Sequence, residues 1–87
     1  MLTPQQCRAA RALLDWTQHE LARRAGVGWS TIRSFENGKH ALMRANRAVI
    51  RGTLEEAGVM LIDADETVGP GVRLRNSDGR TARGTAF

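Results

Sequence analysis

Apolar residues near the start of the chain recur every three or four positions, a spacing that predicts amphipathic helices. In the first of these stretches Cys7, Ala10 and Leu14 form one stripe, with Leu13 beside it. The pattern predicts a helix that ends near Asp15 and buries the cysteine thiol. A redox or metal role for this cysteine is the alternative, but no second cysteine or nearby histidine accompanies it.

The polar residues that precede the first two apolar stripes carry helix-start signals. Thr3 is a predicted N-cap, Pro4 suits the first helical position because its missing N–H costs nothing there, and Gln6 completes a capping box. Thr17 and Glu20 repeat the threonine-and-acid spacing. Two successive helices are therefore predicted, with a short break between them.

The second and third predicted helices are short and close together. The second holds Leu21 and Ala25 on its inner face and ends at Gly26, which suits the left-handed conformation after a helix. The third runs from about Trp29 to Asn37. Two short helices joined by a few residues that include a glycine form a helix-turn-helix.

The third helix has two different faces. Ile32 and Phe35 would lie inside, anchoring the helix to the core. The other face would carry polar and aromatic residues towards solvent, namely Trp29, Ser30, Arg33, Ser34 and Asn37. A recognition helix needs this division, because one face must be anchored while the other enters a major groove about 12 Å wide.

A fourth helix is predicted less clearly from the apolar spacing that follows. Ile50, Leu54 and Ala57 indicate a helix from about Ala45, although Arg47 stands where an apolar residue would continue the stripe. Gly52 also lowers the helix propensity, by about 1 kcal/mol.

After Gly58 the apolar period changes from 3.6 to 2, which predicts strands at residues 59–62 and 72–75. Residues 69–71 form a Gly-Pro-Gly turn signal between them. The first strand is apolar on both faces, so one face should pack on the helices while the other needs a partner. Residues 76–87 are predicted to be a flexible polar tail.

The charge of the chain is distributed unevenly. The net charge of +4 divides into +6 over residues 1–51, −5 over residues 52–66 and +3 over residues 67–87. A basic helical part indicates an anionic partner, most commonly nucleic acid, although a solvated basic surface is the plain alternative. The lone cysteine, the absence of an N-terminal signal pattern and the short apolar runs predict a cytoplasmic protein without a transmembrane segment.

Enzyme chemistry and metal binding have no support in the residue pattern. His19 and His40 have no spacing partner for a metal, and no nucleophile with a nearby base is evident. Asp63, Asp65 and Glu66 lack the rest of a calcium-loop pattern, so a solvated hairpin loop is expected there. We therefore predict no cofactor and no enzymatic activity.

The run TQHELARRAGVGWSTIRSFENGK, residues 17–39, resembles the DNA-binding unit of the Cro and phage-repressor class, the xenobiotic-response-element family. The matched features are Gln18, Leu21, Ala22, Gly26, Val27, Ile32, Glu36 and Gly38. The resemblance implies a mostly α, four-helix lambda-repressor-like domain over residues 1–58, followed by a short β-hairpin at residues 59–75 that belongs to the same domain. It also implies binding to double-stranded DNA.

The resemblance and the side-chain chemistry together predict the residues that contact DNA. Arg33 is the first candidate for base contact, because its forked donors match the two acceptors of guanine. Ser30 and Ser34 can reach a base edge or a phosphate. Trp29 departs from the polar residue common in the family, and either packs against a thymine methyl or a sugar, or folds back over Leu21 or Ala25.

Several other residues are predicted to hold the DNA backbone. Gln18 resembles the family glutamine that bonds a phosphate from a helix N-terminus, and Thr17 would assist it. Arg11 and Glu36 resemble a family pair that joins the first and third helices and aims the guanidinium at a phosphate; two independent surface charges are the alternative. Residues that follow the third helix complete the predicted clamp, namely Asn37, Lys39, Arg44 and Arg47.

A single short recognition helix touches few base pairs, so a homodimer on two half-sites is expected for a transcriptional repressor. The predicted dimerisation residues lie in the hairpin, namely Val59, Met60, Leu61, Ile62, Val72 and Leu74. The competing hypothesis is a protein-interaction module, such as an antiactivator or antitoxin, that binds a protein partner through the hairpin and the acidic residues around it.

Overall fold

A computed structural model describes residues 1–76 as four helices followed by a two-stranded antiparallel sheet. The elements in chain order are α1 (Pro4–Leu14), α2 (Gln18–Ala25), α3 (Trp29–Glu36), α4 (Arg44–Glu56), β1 (Val59–Ile62) and β2 (Gly71–Leu74). The predicted mostly α domain with a short C-terminal hairpin is confirmed. Within residues 1–76 no helix combines the length and apolar character that crossing a bilayer requires.

Helix α1 begins with the predicted capping box. The Thr3 hydroxyl accepts a hydrogen bond from the backbone N–H of Gln6 at 3.0 Å, and the Gln6 amide oxygen accepts one from the backbone N–H of Thr3 at 3.0 Å. The amide nitrogen of the same glutamine donates to the carbonyls of Ile62 at 2.9 Å and Gly71 at 3.0 Å. One buried side chain therefore caps α1 and also ties it to the loop end of the hairpin.

Helices α2 and α3 form the predicted helix-turn-helix. The Thr17 hydroxyl caps α2 by accepting from the backbone N–H of Glu20 at 3.0 Å. At the other end Gly26 adopts a left-handed conformation with φ of 71°, which a residue with a side chain reaches only with strain. Gly28 then serves as the N-cap of α3 without a side-chain bond. The chain therefore reverses over three residues, 26–28.

One apolar core joins all six elements. Its fully enclosed members include Cys7 of α1, Leu21 of α2, Ile32 of α3 and Ile50 of α4. The predicted burial of Cys7 is confirmed, and burial raises the pKa of its thiol, so the thiol stays protonated. Within residues 1–76 the buried apolar residues are Leu2, Cys7, Ala10, Leu14, Trp16, Leu21, Ala22, Ile32, Phe35, Leu42, Ile50, Leu54, Ala57, Val59 and Leu61.

Helix α4 begins at Arg44, one residue before the predicted start, and its N-cap Met43 makes no side-chain capping bond. Arg47, which interrupts the apolar stripe, is half-buried, and its Nη2 donates to the carbonyl of Leu42 at 3.2 Å. Its Nε is buried without a hydrogen-bond partner in residues 1–76. The guanidinium therefore braces the loop before α4, which explains why this position tolerates a charged residue.

The hairpin pairs Val59 with Leu74 and Ile62 with Gly71, so β2 starts one residue earlier than predicted. Beyond the strand ends, the backbone N–H of Arg75 donates to the carbonyl of Gly58 at 2.7 Å. The sheet packs one face on α1 and α4. Of the predicted tail, residues 76–87, only Asn76 lies within the described residues.

Candidate nucleic-acid interface

Helix α3 presents the predicted outer face. Ile32 and Phe35 are 0 % and 5 % exposed and attach the helix to the core. On the opposite face Trp29, Ser30, Arg33 and Asn37 are exposed and Ser34 is half-buried. The side chains named as base-contacting residues therefore share one surface.

A buried ion pair holds this helix in position. The Arg11 Nε donates to one carboxylate oxygen of Glu36 at 2.8 Å, and Nη2 donates to the other at 2.7 Å. Glu36 is 1 % exposed, so this bidentate ion pair lies in an environment of low dielectric constant, where charges interact strongly. Gln18 donates from Nε2 to the same carboxylate at 3.0 Å. The pair therefore links α1, α2 and α3 through one carboxylate.

Arg11 has further bonds within the protein. Its Nη1 donates to the carbonyl of Trp16 at 3.0 Å, so three of its nitrogens are engaged and one N–H on each Nη remains. Arg8 donates to the backbone carbonyl of Glu36 at the end of α3. Contact of Arg11 with a DNA phosphate stays a prediction, and it would have to use those two remaining donors.

Trp29 adopts a position between its two predicted alternatives. Its ring lies 4.6 Å from that of His19 at an interplanar angle of 12°, and its Nε1 donates to the Gln18 amide oxygen at 3.3 Å. It thus folds back against the first turn of α2, while 38 % of the residue remains exposed. The indole is held by α2 and still presents a surface to solvent.

The amide of Gln18 consequently has contacts at both ends. Its oxygen accepts from Trp29 and its nitrogen donates to Glu36, which leaves one amide N–H for another acceptor. The Arg33 guanidinium lies 5.4 Å from the centre of the Trp29 ring, within the range of a cation–π contact. A continuous polar network therefore runs from the buried carboxylate to the exposed face of α3.

The basic residues divide into paired and unpaired groups. In α2, Arg23 and Arg24 both bond Glu20, and in α4 Arg51 bonds Glu55. Three arginine or lysine side chains of residues 1–58 form neither an ion pair nor a hydrogen bond within the described part of the chain. They are Arg33, Lys39 and Arg44. All three lie on α3 or in the segment that runs from it to the start of α4, whereas the two other unpaired arginines of residues 1–76, Arg73 and Arg75, lie in and after β2.

A groove of about 290 Å³ separates α3 from the start of α4. Ser30 and Ser34 line one side and Met43 and Asn46 the other. The first backbone N–H groups of α4, at residues 44–46, have no intrahelical acceptor, and no capping side chain satisfies them. An anion at the α4 side of this groove would lie near free N–H groups and the positive end of the helix dipole.

Sequence reasoning missed some of this site. It predicted Arg44 as a contact with the DNA backbone but did not predict the free backbone N–H groups beside it. The apolar residue at the N-cap position is the signal for them, because its side chain cannot accept their hydrogen bonds. It also missed His19 as the platform under Trp29, for which the sequence carries no signal. Arg47, by contrast, is directed towards the Leu42 carbonyl, so its predicted phosphate contact requires another side-chain conformation.

The six predicted dimerisation residues divide between the two faces of the sheet. Val59 and Leu61 are 0 % and 9 % exposed and belong to the protomer's own core, and Val72 and Leu74 are half-buried against it. Met60 and Ile62 are 42 % and 40 % exposed. Only these last two side chains are free to contact a partner extensively.

The anchored helix α3, the tight turn before it and the unpaired basic groups around it define a helix-turn-helix DNA-binding unit. Residues 8–43 match the family described as Helix-turn-helix. That family is the Cro/C1-type helix-turn-helix, or xenobiotic-response-element, family of DNA-binding domains, to which this segment is similar. No curated protein matches the chain significantly.

The position of Trp29 leads to a prediction that separates a DNA contact from a core role. We expect Trp29→Ala to lower the free energy of unfolding by only about 1 kcal/mol, because the ring is partly exposed and its contacts with His19, Gln18 and Arg33 lie at the surface. Trp16→Ala, which removes an 8 % exposed ring, should cost about 3 to 5 kcal/mol. Chemical denaturation of both variants gives this comparison, and an equally large loss for Trp29→Ala would assign that ring to the core.

Proposed function

We propose that the protein is a cytoplasmic, sequence-specific repressor that acts as a homodimer on two half-sites of double-stranded DNA. The main support for the proposal is the location of the arginine and lysine side chains that have no ion-pair partner. Carboxylates neutralise most arginines elsewhere in residues 1–58. Arg33 on the exposed face of α3, and Lys39 and Arg44 between α3 and the start of α4, have no such partners within residues 1–76. Phosphates of the DNA backbone would supply the missing negative charge.

Each contact surface has a proposed role. Arg33 and Trp29 read bases from the centre and the start of α3, and Ser30 and Ser34 contact either bases or phosphates. The open amides of α4, together with Arg44, bind a phosphate on one side of the recognition helix. On its other side Gln18, with the remaining N–H of its amide, binds a second phosphate. Two phosphate contacts flanking one helix fix its register in the groove.

The proposed mode of regulation is repression by occupying a promoter. The described domain holds a DNA-binding surface and a hairpin, and occupying a promoter requires nothing more. A dimer is needed because one helix of eight residues reads too few base pairs for useful specificity. Two half-sites about one helical turn apart, near 34 Å, are therefore expected.

The protein-interaction alternative has less support. Of the acidic residues that would form its surface, Glu55 is paired with Arg51, and Asp63 contacts both Arg51 and the terminal amine. Asp65 accepts from the backbone N–H groups of Thr67 and Val68 and is held in its own turn. Most of the acidic residues are thus engaged within the chain, while the cations beside α3 are not.

The proposal is tested by selecting bound sequences from a randomised duplex and measuring affinity by fluorescence anisotropy across a range of salt concentrations. A sequence-specific regulator should prefer the selected duplex over a scrambled one by roughly a thousandfold or more. The logarithm of its affinity should fall steeply with the logarithm of the salt concentration. If no sequence is enriched and binding stays weak, the protein-interaction alternative takes precedence.

Arg44 offers a separate prediction for the phosphate contact. Arg44→Ala should weaken binding to selected and scrambled duplexes by the same factor and reduce the salt slope by about one, because one phosphate contact is lost. Arg51→Ala is the matched control, since that arginine is paired with Glu55 and should leave the slope unchanged. A loss confined to the selected duplex would instead make Arg44 a base reader.

A further inference from the structure

The tryptophan at the start of α3 is stacked on a histidine that has no hydrogen bond of its own. The ring centres of His19 and Trp29 lie 4.6 Å apart, and the ring planes differ by 12°. Neither nitrogen of the imidazole forms a hydrogen bond or an ion pair within residues 1–76. No polar contact there therefore competes with the stack for the orientation of the His19 ring.

The stack joins two anchored helices. Leu21, two residues after His19 in α2, is 0 % exposed, and Ile32, three residues after Trp29 in α3, is 0 % exposed as well. The backbone under each ring is thus fixed to the core, and the tight turn at residues 26–28 brings the two rings together. The imidazole and the indole therefore meet in a geometry that the fold itself determines.

The other contacts of the indole fix its orientation only weakly. Its Nε1 donates to the Gln18 amide oxygen at 3.3 Å, which is long for an N–H···O bond and exposed to solvent. One bond at the edge of a ring permits the ring plane to turn about that bond. The Arg33 guanidinium, at 5.4 Å from the ring centre, lies near the outer limit of a cation–π contact, about 6 Å. The plane of the Trp29 ring is therefore set chiefly by His19.

The orientation of this ring matters for recognition, because apolar contact with a thymine methyl or a sugar depends on which face the indole presents. A ring that DNA must first order costs binding free energy, whereas a ring that is already held does not. Only molecules with the ring correctly placed are competent to bind, so the apparent affinity scales with their fraction. Arg33 lies one helical turn after Trp29 on the same face of α3, so the indole also restricts the space open to its guanidinium.

We infer that His19 is a positioning residue for base recognition, which holds the Trp29 indole in the orientation that contacts DNA. Its imidazole acts through the indole and makes no base contact of its own. The aromatic ring, and not a positive charge, carries this role, so a neutral ring of similar shape should replace it. This inference rests on the proposed function, because it concerns how the same face of α3 discriminates between sequences.

The stack itself is tested without DNA, from the indole N–H signals in a two-dimensional proton–nitrogen NMR spectrum. The chain has two tryptophans, so two indole signals are expected, and the variant Trp29→Phe identifies the signal of Trp29. His19→Ala should move that signal, because the stacked ring is lost, and leave the signal of the buried Trp16 in place. If the Trp29 signal did not move, His19 would not hold the indole and the inference would fail.

Affinity for DNA tests the positioning role. His19→Ala should weaken binding to the selected duplex about fivefold, the loss expected for one aromatic stack, and leave binding to the scrambled duplex unchanged. His19→Phe, which keeps a ring without a charge, should restore most of the preference. His19→Lys, which keeps a charge without a ring, should strengthen binding to both duplexes alike and leave the preference reduced. Fluorescence anisotropy on both duplexes compares these variants with wild type.

A double-mutant cycle with Trp29→Ala distinguishes positioning from direct contact. Once the indole is absent, His19→Ala should cause no further loss of preference, because the effects of residues that act through one another are not additive. Any further loss of preference in that background would make His19 a DNA contact in its own right and overturn the inference.

The outcomes separate this inference from the function on which it rests. A wild type without a preferred duplex would overturn both. A wild-type preference that His19→Ala retains in full would overturn the positioning role alone, and so would an equal loss for His19→Phe and His19→Ala. Circular dichroism melting checks that each variant is folded, which substitution of an exposed residue should preserve. The contrast between His19→Phe and His19→Lys stays decisive even if the alanine variant melts at a lower temperature.

Discussion

Replacing Glu36 with glutamine is expected to lower the free energy of unfolding by about 3 kcal/mol, a loss typical of breaking a buried ion pair. The carboxylate accepts two bonds from Arg11 and one from Gln18, and the residue is 1 % exposed. A neutral amide satisfies fewer of these donors and leaves the guanidinium without a counter-charge. We expect a loss of stability at the lower end of the range usual for a broken buried ion pair, because the Arg11 side chain keeps 18 % of its surface exposed.

The measurement is urea denaturation followed by circular dichroism, with Glu56→Gln as the matched control. Glu56 is exposed and has no ion pair in residues 1–76, so the same chemical change there should alter stability by less than about 0.5 kcal/mol. The double variant Arg11→Met/Glu36→Leu should be more stable than Glu36→Gln, because neither charge then remains buried alone. Equal stability of Glu36→Gln and wild type would show that the pair contributes nothing.

Lowering the pH should weaken the stabilisation that the same ion pair provides. Burial by itself would raise the pKa of Glu36, but the hydrogen bonds from Arg11, Cys7 and Gln18 outweigh burial and hold that pKa below its usual value. A lowered pKa in the folded state means that the stabilisation is complete above the ordinary glutamate pKa and is lost as pH falls through the lowered value. The stability difference between wild type and Glu36→Gln should therefore narrow in acid.

The helical part of the fold was predictable because its signals are local. Thr3 with Gln6, Thr17, and Gly26 each act within one turn of their own residue, and the apolar spacing fixes the buried stripes. The second role of Gln6 was not predictable, because its bonds to Ile62 and Gly71 join residues more than fifty positions apart. Periodicity carries no information about such contacts.

The candidate site was predictable in outline for a different reason. The exposed face of α3 follows from helical geometry once Ile32 and Phe35 are assigned to the core. The resemblance to the family supplied the Arg11–Glu36 pair. The sequence could not give the direction of Trp29, which depends on the first turn of α2, nor the inward direction of Arg47 towards Leu42. Side-chain direction is decided by neighbours in space, and sequence spacing constrains it only weakly.

Replacing Arg33 with alanine should cost about 1 to 3 kcal/mol of binding free energy on the selected duplex and relax the preference at one base pair of each half-site. Arg33 is exposed near the middle of α3, and no carboxylate in residues 1–76 competes for its donors. Its guanidinium carbon lies 5.4 Å from the centre of the Trp29 ring, and none of its N–H groups donates a hydrogen bond within residues 1–76. A guanine presents two acceptors that match the forked N–H donors of arginine.

The variant Arg33→Lys tests whether base recognition needs the paired N–H donors of arginine or only its positive charge. Lysine keeps the positive charge near the phosphates but loses the paired donors, so the salt slope should stay close to wild type while the preference for guanine falls. Arg44→Ala should show the opposite combination, with a smaller slope and an unchanged preference. Selection on randomised duplexes, repeated with each variant, measures the preference, and anisotropy across a range of salt concentrations measures the slope. If Arg33→Lys retained the full wild-type preference, recognition at this position would rest on charge alone, and the reading of guanine by a forked donor would have to be abandoned.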